Sequence, residues 1–108
     1  MREVPKFYRQ FTKNYPQINE AYQNLADECR KAGPLNDKEQ ALVKLGVSIG
    51  ARMEGSVHSQ VRKGLDAGVK PDEIRHAVFL AMTTIGFPNT MAVMSWANDL
   101  LNAAPRRK

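Results

Sequence analysis

Two residues in this chain stand at a spacing that suits proton transfer. Glu54 and His58 are four apart in a stretch with helical character, so on a helix they are neighbours on one face. A carboxylate at that distance can hold an imidazole in one tautomer, and such a dyad can move a proton between pH 5 and 8. The alternative is a solvated surface pair continuing to Arg62, contributing about 0.2 to 0.5 kcal/mol and no chemistry. Ser56 and Gln60 share the stretch. At about 100° per residue, however, His58 and Gln60 point roughly 160° apart. Glu54 and His58 can therefore share a pocket with the other face only if a neighbouring helix or subunit closes over them.

Other chemistry is sparse. The chain holds one cysteine, Cys29, so an intramolecular disulfide is impossible. Cys29 falls on an apolar stripe with Ile18, Ala21, Tyr22, Leu25 and Ala26, recurring at offsets of three and four, and is expected to point into a core. With two histidines, one cysteine and no second acidic cluster near them, no metal site and no cofactor is expected. His76, beside Arg75, reads as a surface or packing residue. Thr83 and Thr84 offer hydroxyls, but threonines late in a helix often bond their own backbone.

The elements that carry these residues all read as helices. Pro16 to Lys31 is amphipathic and ends at Gly33-Pro34. Asn36 followed by Glu39 signals a capping box at the start of the next helix. That helix, running to about Gly50, carries Ala41, Leu42, Val43, Leu45, Val47 and Ile49 around most of its circumference. It is expected at the centre, with Gly46 and Gly50 admitting another backbone. A helix from about Met53 to Ala67 stops at Gly68, a residue type that accepts the left-handed cap conformation. Pro71 opens the next at a tolerated position. After a break spanning Gly86 to Asn89, a last helix carries Met91, Met94, Trp96, Ala97, Leu100 and Leu101. The fold class is an all-α bundle of about six helices in a single domain, residues 1–108, with residues 1–33 as N-terminal helices.

Composition narrows the function. At 108 residues the chain has a limited core, since monomers of this size bury only about 60 to 70% of their unfolded surface, and a larger assembly would help it. Hydrophobic residues at 43% and charged residues at 25% exclude intrinsic disorder. The net charge of +5 is concentrated at the ends, in Arg2, Lys6, Arg9, Lys13 and Arg106 to Lys108, which suits solubility. No zinc-finger spacing or basic-aromatic run points to nucleic acid. The N-terminus lacks a signal-peptide core, so a cytoplasmic location is expected. The uncharged run from Ala77 to Asn98 is long enough to cross a bilayer, but Thr83-Thr84 and Gly86 to Asn89 divide it into two buried helices.

Read in order, Ala41-Leu-Val-Lys-Leu45, Glu54-Gly-Ser-Val-His-Ser59, Leu65-Asp-Ala-Gly68, Pro71-Asp-Glu-Ile74 and Thr84-Ile-Gly-Phe-Pro88 resemble the carboxymuconolactone decarboxylase family. The resemblance covers roughly residues 34–101, and the alkylhydroperoxidase D proteins share its fold. In the thiol members of that family, a Cys-x-x-Cys-x-x-x-His motif and an upstream glutamate form a proton relay. The resemblance places those positions at Met53, Ser56, Gln60 and Ala41, so all four are exchanged here. Methionine does not ionise and glutamine does not exchange a proton near neutral pH, so the thiol peroxidase mechanism is not available in that form. Peroxiredoxin-type antioxidant activity, the family's common label, would require an exposed, reactive Cys29.

The decarboxylase branch is similar at Glu54 and differs at Gln60, where it carries a histidine. The resemblance implies a small organic acid or lactone as substrate, handled by acid-base chemistry with Glu54 and His58, assisted by Ser56 and Gln60. It also implies a homo-oligomer, trimer or hexamer, with Gly86 to Asn89 as the turn beside the pocket. The methionines Met82, Met91 and Met94, with Phe87 and Trp96, are expected in a core, a subunit interface or an apolar ligand cavity. A non-catalytic oligomer that binds a ligand or partner in the old pocket is the reading from another functional class.

Overall fold

The computed structural model describes residues 5–102, and Arg2 and Arg106 to Lys108 lie outside them. Every regular element among the described residues is helical: α1 Lys6–Asn14, α2 Pro16–Lys31, α3 Asp37–Ala51, α4 Glu54–Asp66, α5 Pro71–Leu80, α6 Met82–Ile85 and α7 Phe87–Leu101. The all-α fold class expected from the sequence holds. No helix among the described residues is long and apolar enough to cross a membrane.

The chain divides into two compact units, Met1–Leu35 and Asn36–Lys108. In the first, α1 and α2 form a helical pair joined by tilted packing of the Phe11 and Tyr15 rings, 5.7 Å between centroids, and by Gln23 donating to the Tyr8 hydroxyl at 3.3 Å. Pro16 sits at the first turn of α2, where its missing N–H costs nothing. Surface ion pairs Arg30–Asp27 and Lys31–Glu28 follow the helical repeat. Neither helix buries a residue. Ile18, Tyr22 and Leu25 are 59 to 61% exposed, and Cys29 is exposed as well. The periodicity located a stripe correctly but said nothing of what covers it, and the expectation of a buried Cys29 is corrected on that ground.

The second unit starts at a complete capping box. Asn36 Oδ1 accepts from the Glu39 N–H at 2.8 Å, and Glu39 Oε1 accepts from the Asn36 N–H at 2.9 Å. Two of the donors that a helix start leaves orphaned are thereby satisfied. The core is a cluster of Leu45 and Ile49 from α3, Val57 and Val61 from α4, Val69 before α5, Ile74 and Val78 from α5, and Val93, Ala97 and Leu101 from α7. Each branched side chain removed from water stabilises by about 1.5 to 3 kcal/mol.

Three expectations for this unit need correction. First, α3 is not surrounded by protein: Leu45, Ser48 and Ile49 are buried, while Val43 and Val47 are 53 and 68% exposed. Second, outside the helix's own backbone no atom lies within 4 Å of where a Cβ on Gly46 or Gly50 would stand, so no other backbone of this chain approaches either glycine. They line an open groove instead. Third, the break before the last helix is Gly86 alone, at φ +89°, a conformation that suits glycine. Pro88 and Asn89 already lie in the first turn of α7, where proline is tolerated. Thr90, fully buried, donates its hydroxyl to the Gly86 carbonyl at 2.8 Å and fastens that turn.

Gly68, at φ +94°, ends α4 as expected. The Val69 N–H returns to the Gly64 carbonyl at 2.9 Å, which satisfies a carbonyl of the last turn. At the other junction, Arg52 closes α3 in the left-handed region at φ +54°, a strained position for a residue with a Cβ. Its guanidinium donates to Asn89 Oδ1 at 2.9 Å, tying the α3–α4 turn to the start of α7.

Replacing Asn36 with alanine removes the acceptor for the Glu39 N–H. It should lower the unfolding free energy by about 1 kcal/mol, read as a shift of the urea midpoint at constant slope.

Candidate functional site

Helix α4 brings Glu54 and His58 together, and α7 adds a third ionisable group. Glu54 is the first residue of α4, where a negative charge is favoured by the exposed N–H groups of the helix start. His58 lies one turn further, and its Nε2 is 2.9 Å from Oδ2 of Asp99 on α7. One donor atom from each of Glu54, His58 and Asp99 lies within 4.8 Å of the other two. The His58 side chain is 30% exposed and that of Asp99 58%. Buried Val57 and Val61 on α4, with Val93, Ala97 and Leu101 on α7, belong to the same core. The polar cluster forms where these two helices meet the solvent.

Asp99 is the functional group that sequence reasoning missed. It stands 41 positions from His58, so no local spacing connects them. One signal was available: Asp99 is the sole charged residue of α7, ending the uncharged run that begins at Ala77. The neighbouring helix that reaches the Glu54 and His58 face is α7, which leaves that face open to solvent. The sequence reading joined only Glu54 to His58; Asp99 adds a second carboxylate near the imidazole.

The other two candidates lie apart from this arrangement. Ser56 is half-buried, with its hydroxyl 2.7 Å from that of Ser48, a buried residue of α3. The position that carries a cysteine in thiol members is thus occupied by an interhelical hydroxyl pair. Gln60 is half-buried on α4, and Met53, at the other cysteine position, is 61% exposed.

A second feature opens between α3, α5 and α6. It is a groove of about 620 Å³, floored by apolar residues including Leu42, Val43, Gly46, Ala77 and Leu80. Glu73, His76 and Thr84 are its polar members, while Glu54, His58 and Asp99 do not line it. Met82, Met91, Met94, Phe87 and Trp96, expected in a core, an interface or a cavity, do not line it either. Phe87 is 60% exposed, Met91 is at the surface, and Met82, Met94 and Trp96 are half-buried against the core or beside it.

At the groove's edge, Glu73 Oε1 accepts from the Lys70 N–H at 2.8 Å, and the carboxylate lies 3.2 Å from Lys38 Nζ. The Lys70 amide first, and then Lys38, hold the Glu73 carboxyl below its ordinary value of 4.5. Lys38 belongs to α3 and Glu73 to α5, so this contact also joins two helices of the groove.

The described residues thus form helices alone, with a carboxylate–imidazole pair across α4 and α7 and no thiol on α4. Residues 16–99 match the carboxymuconolactone decarboxylase family, which is most of the chain, and the protein belongs to that family. The match begins at the start of α2, further upstream than residue 34, where the motif resemblance starts. No match to a curated protein or to a solved structure was found.

Two predictions follow from these surroundings. A folded-state pKa lowered at Glu73 means that the unfolded chain binds more protons as the pH falls. Its contribution is therefore present above the ordinary carboxylate range and lost as the pH drops through the lowered value. Glu73→Gln should reduce Tm at pH 7, and the two melting temperatures should converge at pH values below 4.5. Cys29, being exposed, should release one equivalent of chromophore per chain from an aromatic disulfide reagent without denaturant. A thiol that reacts only after unfolding would show that α2 is covered in solution.

Proposed function

We propose that this protein acts on a small organic acid or lactone by acid-base chemistry without thiols, using Glu54 and His58. The single observation that carries this reading is the 2.9 Å pairing of His58 with Asp99, with Glu54 close by. An imidazole with a carboxylate from each of two helices close by supports that reading. Loss of carbon dioxide from a lactone acid breaks the bond between the carboxylate carbon and its neighbour. The electron pair passes into the unsaturated ring as an enolate, which must then take up a proton on carbon. His58 is the group in this site suited to deliver that proton, Asp99 positions its ring, and Glu54 polarises or anchors the substrate from the helix start. Ser56 and Gln60, on a different face of α4, are assigned no step in it.

Peroxide reduction through a thiol is the weaker reading. Exposure of Cys29 meets one of its requirements, but the chain's single cysteine leaves no second thiol to resolve a sulfenic acid within one subunit. A specific observation favours a binding role as the second reading: the apolar groove between α3 and α5 holds none of the proton-transfer residues. Exposed Val43, Val47, Phe79 and Leu80 lie on the same two helices, which suits a homo-oligomer, trimer or hexamer, with this face at a subunit contact.

The test is a panel of carboxylated lactones and β-keto acids, with carbon dioxide release as readout and light scattering to follow assembly. Glu54→Gln and His58→Ala should each lower kcat/KM at least about 100-fold while the assembly stays intact. Asp99→Asn should lower kcat with little change in KM, as expected of a residue that positions the imidazole. Unchanged turnover in the Glu54 and His58 variants would sink the assignment.

A further inference from the structure

We propose that Glu54, His58 and Asp99 form a binding site for a divalent transition metal ion of the zinc type. The donor set has the required chemistry, one imidazole nitrogen and two carboxylates, ligand types that zinc accepts together. Its geometry is near what a metal needs. Bonds of about 2.1 Å to one ion place adjacent donor atoms about 3.0 to 3.4 Å apart. The His58 Nε2 to Asp99 Oδ2 distance is already 2.9 Å. All three donor atoms lie within 4.8 Å of one another. Glu54 and Asp99 are exposed, so neither carboxylate is packed in place by the core.

The backbone is held independently of any ion. Glu54 and His58 are fixed one turn apart on α4, and Asp99 is carried by α7. Buried residues of both helices sit in one core. Two independent constraints, helical spacing and interhelical packing, therefore converge on one point. The oxygens of two carboxylates gathered beside one imidazole nitrogen are the donor types that a divalent cation draws together. Three protein ligands leave a further coordination position for water or for a substrate oxygen.

The inference does not rest on the acid-base reading, because its readout is metal uptake rather than turnover. The two meet in one respect: an ion on the His58 nitrogen occupies the position a transferred proton would take. Any thiol-free turnover by this site should then fall as zinc is added and return with a chelator.

The experiment is calorimetric titration of the chelator-treated, full-length protein with zinc sulfate in a non-coordinating buffer, with cobalt absorption spectra as a second probe. One zinc per chain is expected. His58→Ala and Asp99→Asn should each weaken binding at least about 10-fold. Circular dichroism would establish that both variants stay helical, and the exposed Asp99→Asn change keeps the test valid if His58→Ala fails to fold. His76→Ala and Cys29→Ser, which remove the other histidine and the only thiol, should bind as the parent does. No uptake by the parent, equal uptake by the His58 and Asp99 variants, or loss of uptake in the His76 or Cys29 variant would each overturn the proposal.

Discussion

The meeting of Glu54, His58 and Asp99 depends on the apolar core that α4 and α7 share. Val57 and Val61 on one helix, with Val93, Ala97 and Leu101 on the other, are essentially removed from water. Close packing of short branched side chains permits little relative movement. His58 follows directly after Val57, and Asp99 lies between Ala97 and Leu101, so the buried residues on either helix set the polar ones that meet across it. Substitution in this core would therefore alter the site without touching a polar atom.

By its resemblance to the thiol members, α4 is the helix that carries their cysteines, and it holds no thiol here. Positions that hold a nucleophilic thiol pair and a histidine in the family's redox members carry Met53, Ser56 and Gln60 here. Ser56 pairs with Ser48 at the interface with α3, stitching two helices where a reactive group would otherwise lie. The ionisable residues Glu54 and His58 lie on a different face of α4, where solvent reaches them and α7 supplies an acidic partner. A half-exposed carboxylate–imidazole group is suited to proton transfer or to cation binding, since both need a reachable nitrogen lone pair.

The groove between α3 and α5 and the exposed stripe of α2 have a common physical origin. Each is an apolar surface with helical periodicity that the described residues of its own unit leave uncovered. Small chains cannot bury all their apolar surface alone. Surface of this kind on Val43, Val47 and Leu80 is what association between chains removes from water. The Glu73 contacts with Lys38 and the Lys70 amide, at the polar edge of the groove, hold α3 and α5 in place whether or not that face is covered.

Local physics was legible in the sequence alone. The cap at Asn36, the stop at Gly68, the proline opening α5, and the spacing of Glu54 and His58 each depend on interactions within one turn or two. Residue type and spacing determine such features. Family membership was legible too, because it lies in the order of short motifs. The sequence did not determine which side of an amphipathic helix would be covered, since periodicity marks a face without naming its partner. Cys29, Val43 and Val47 were misplaced for that reason. Nor did it show the pairing of His58 with Asp99, because 41 residues separate them and only the packing of α4 on α7 brings them within hydrogen-bond distance. Tertiary structure decided the site, because a proton-transfer or ligating group needs donors a few ångströms apart, and chain separation carries no information about that distance.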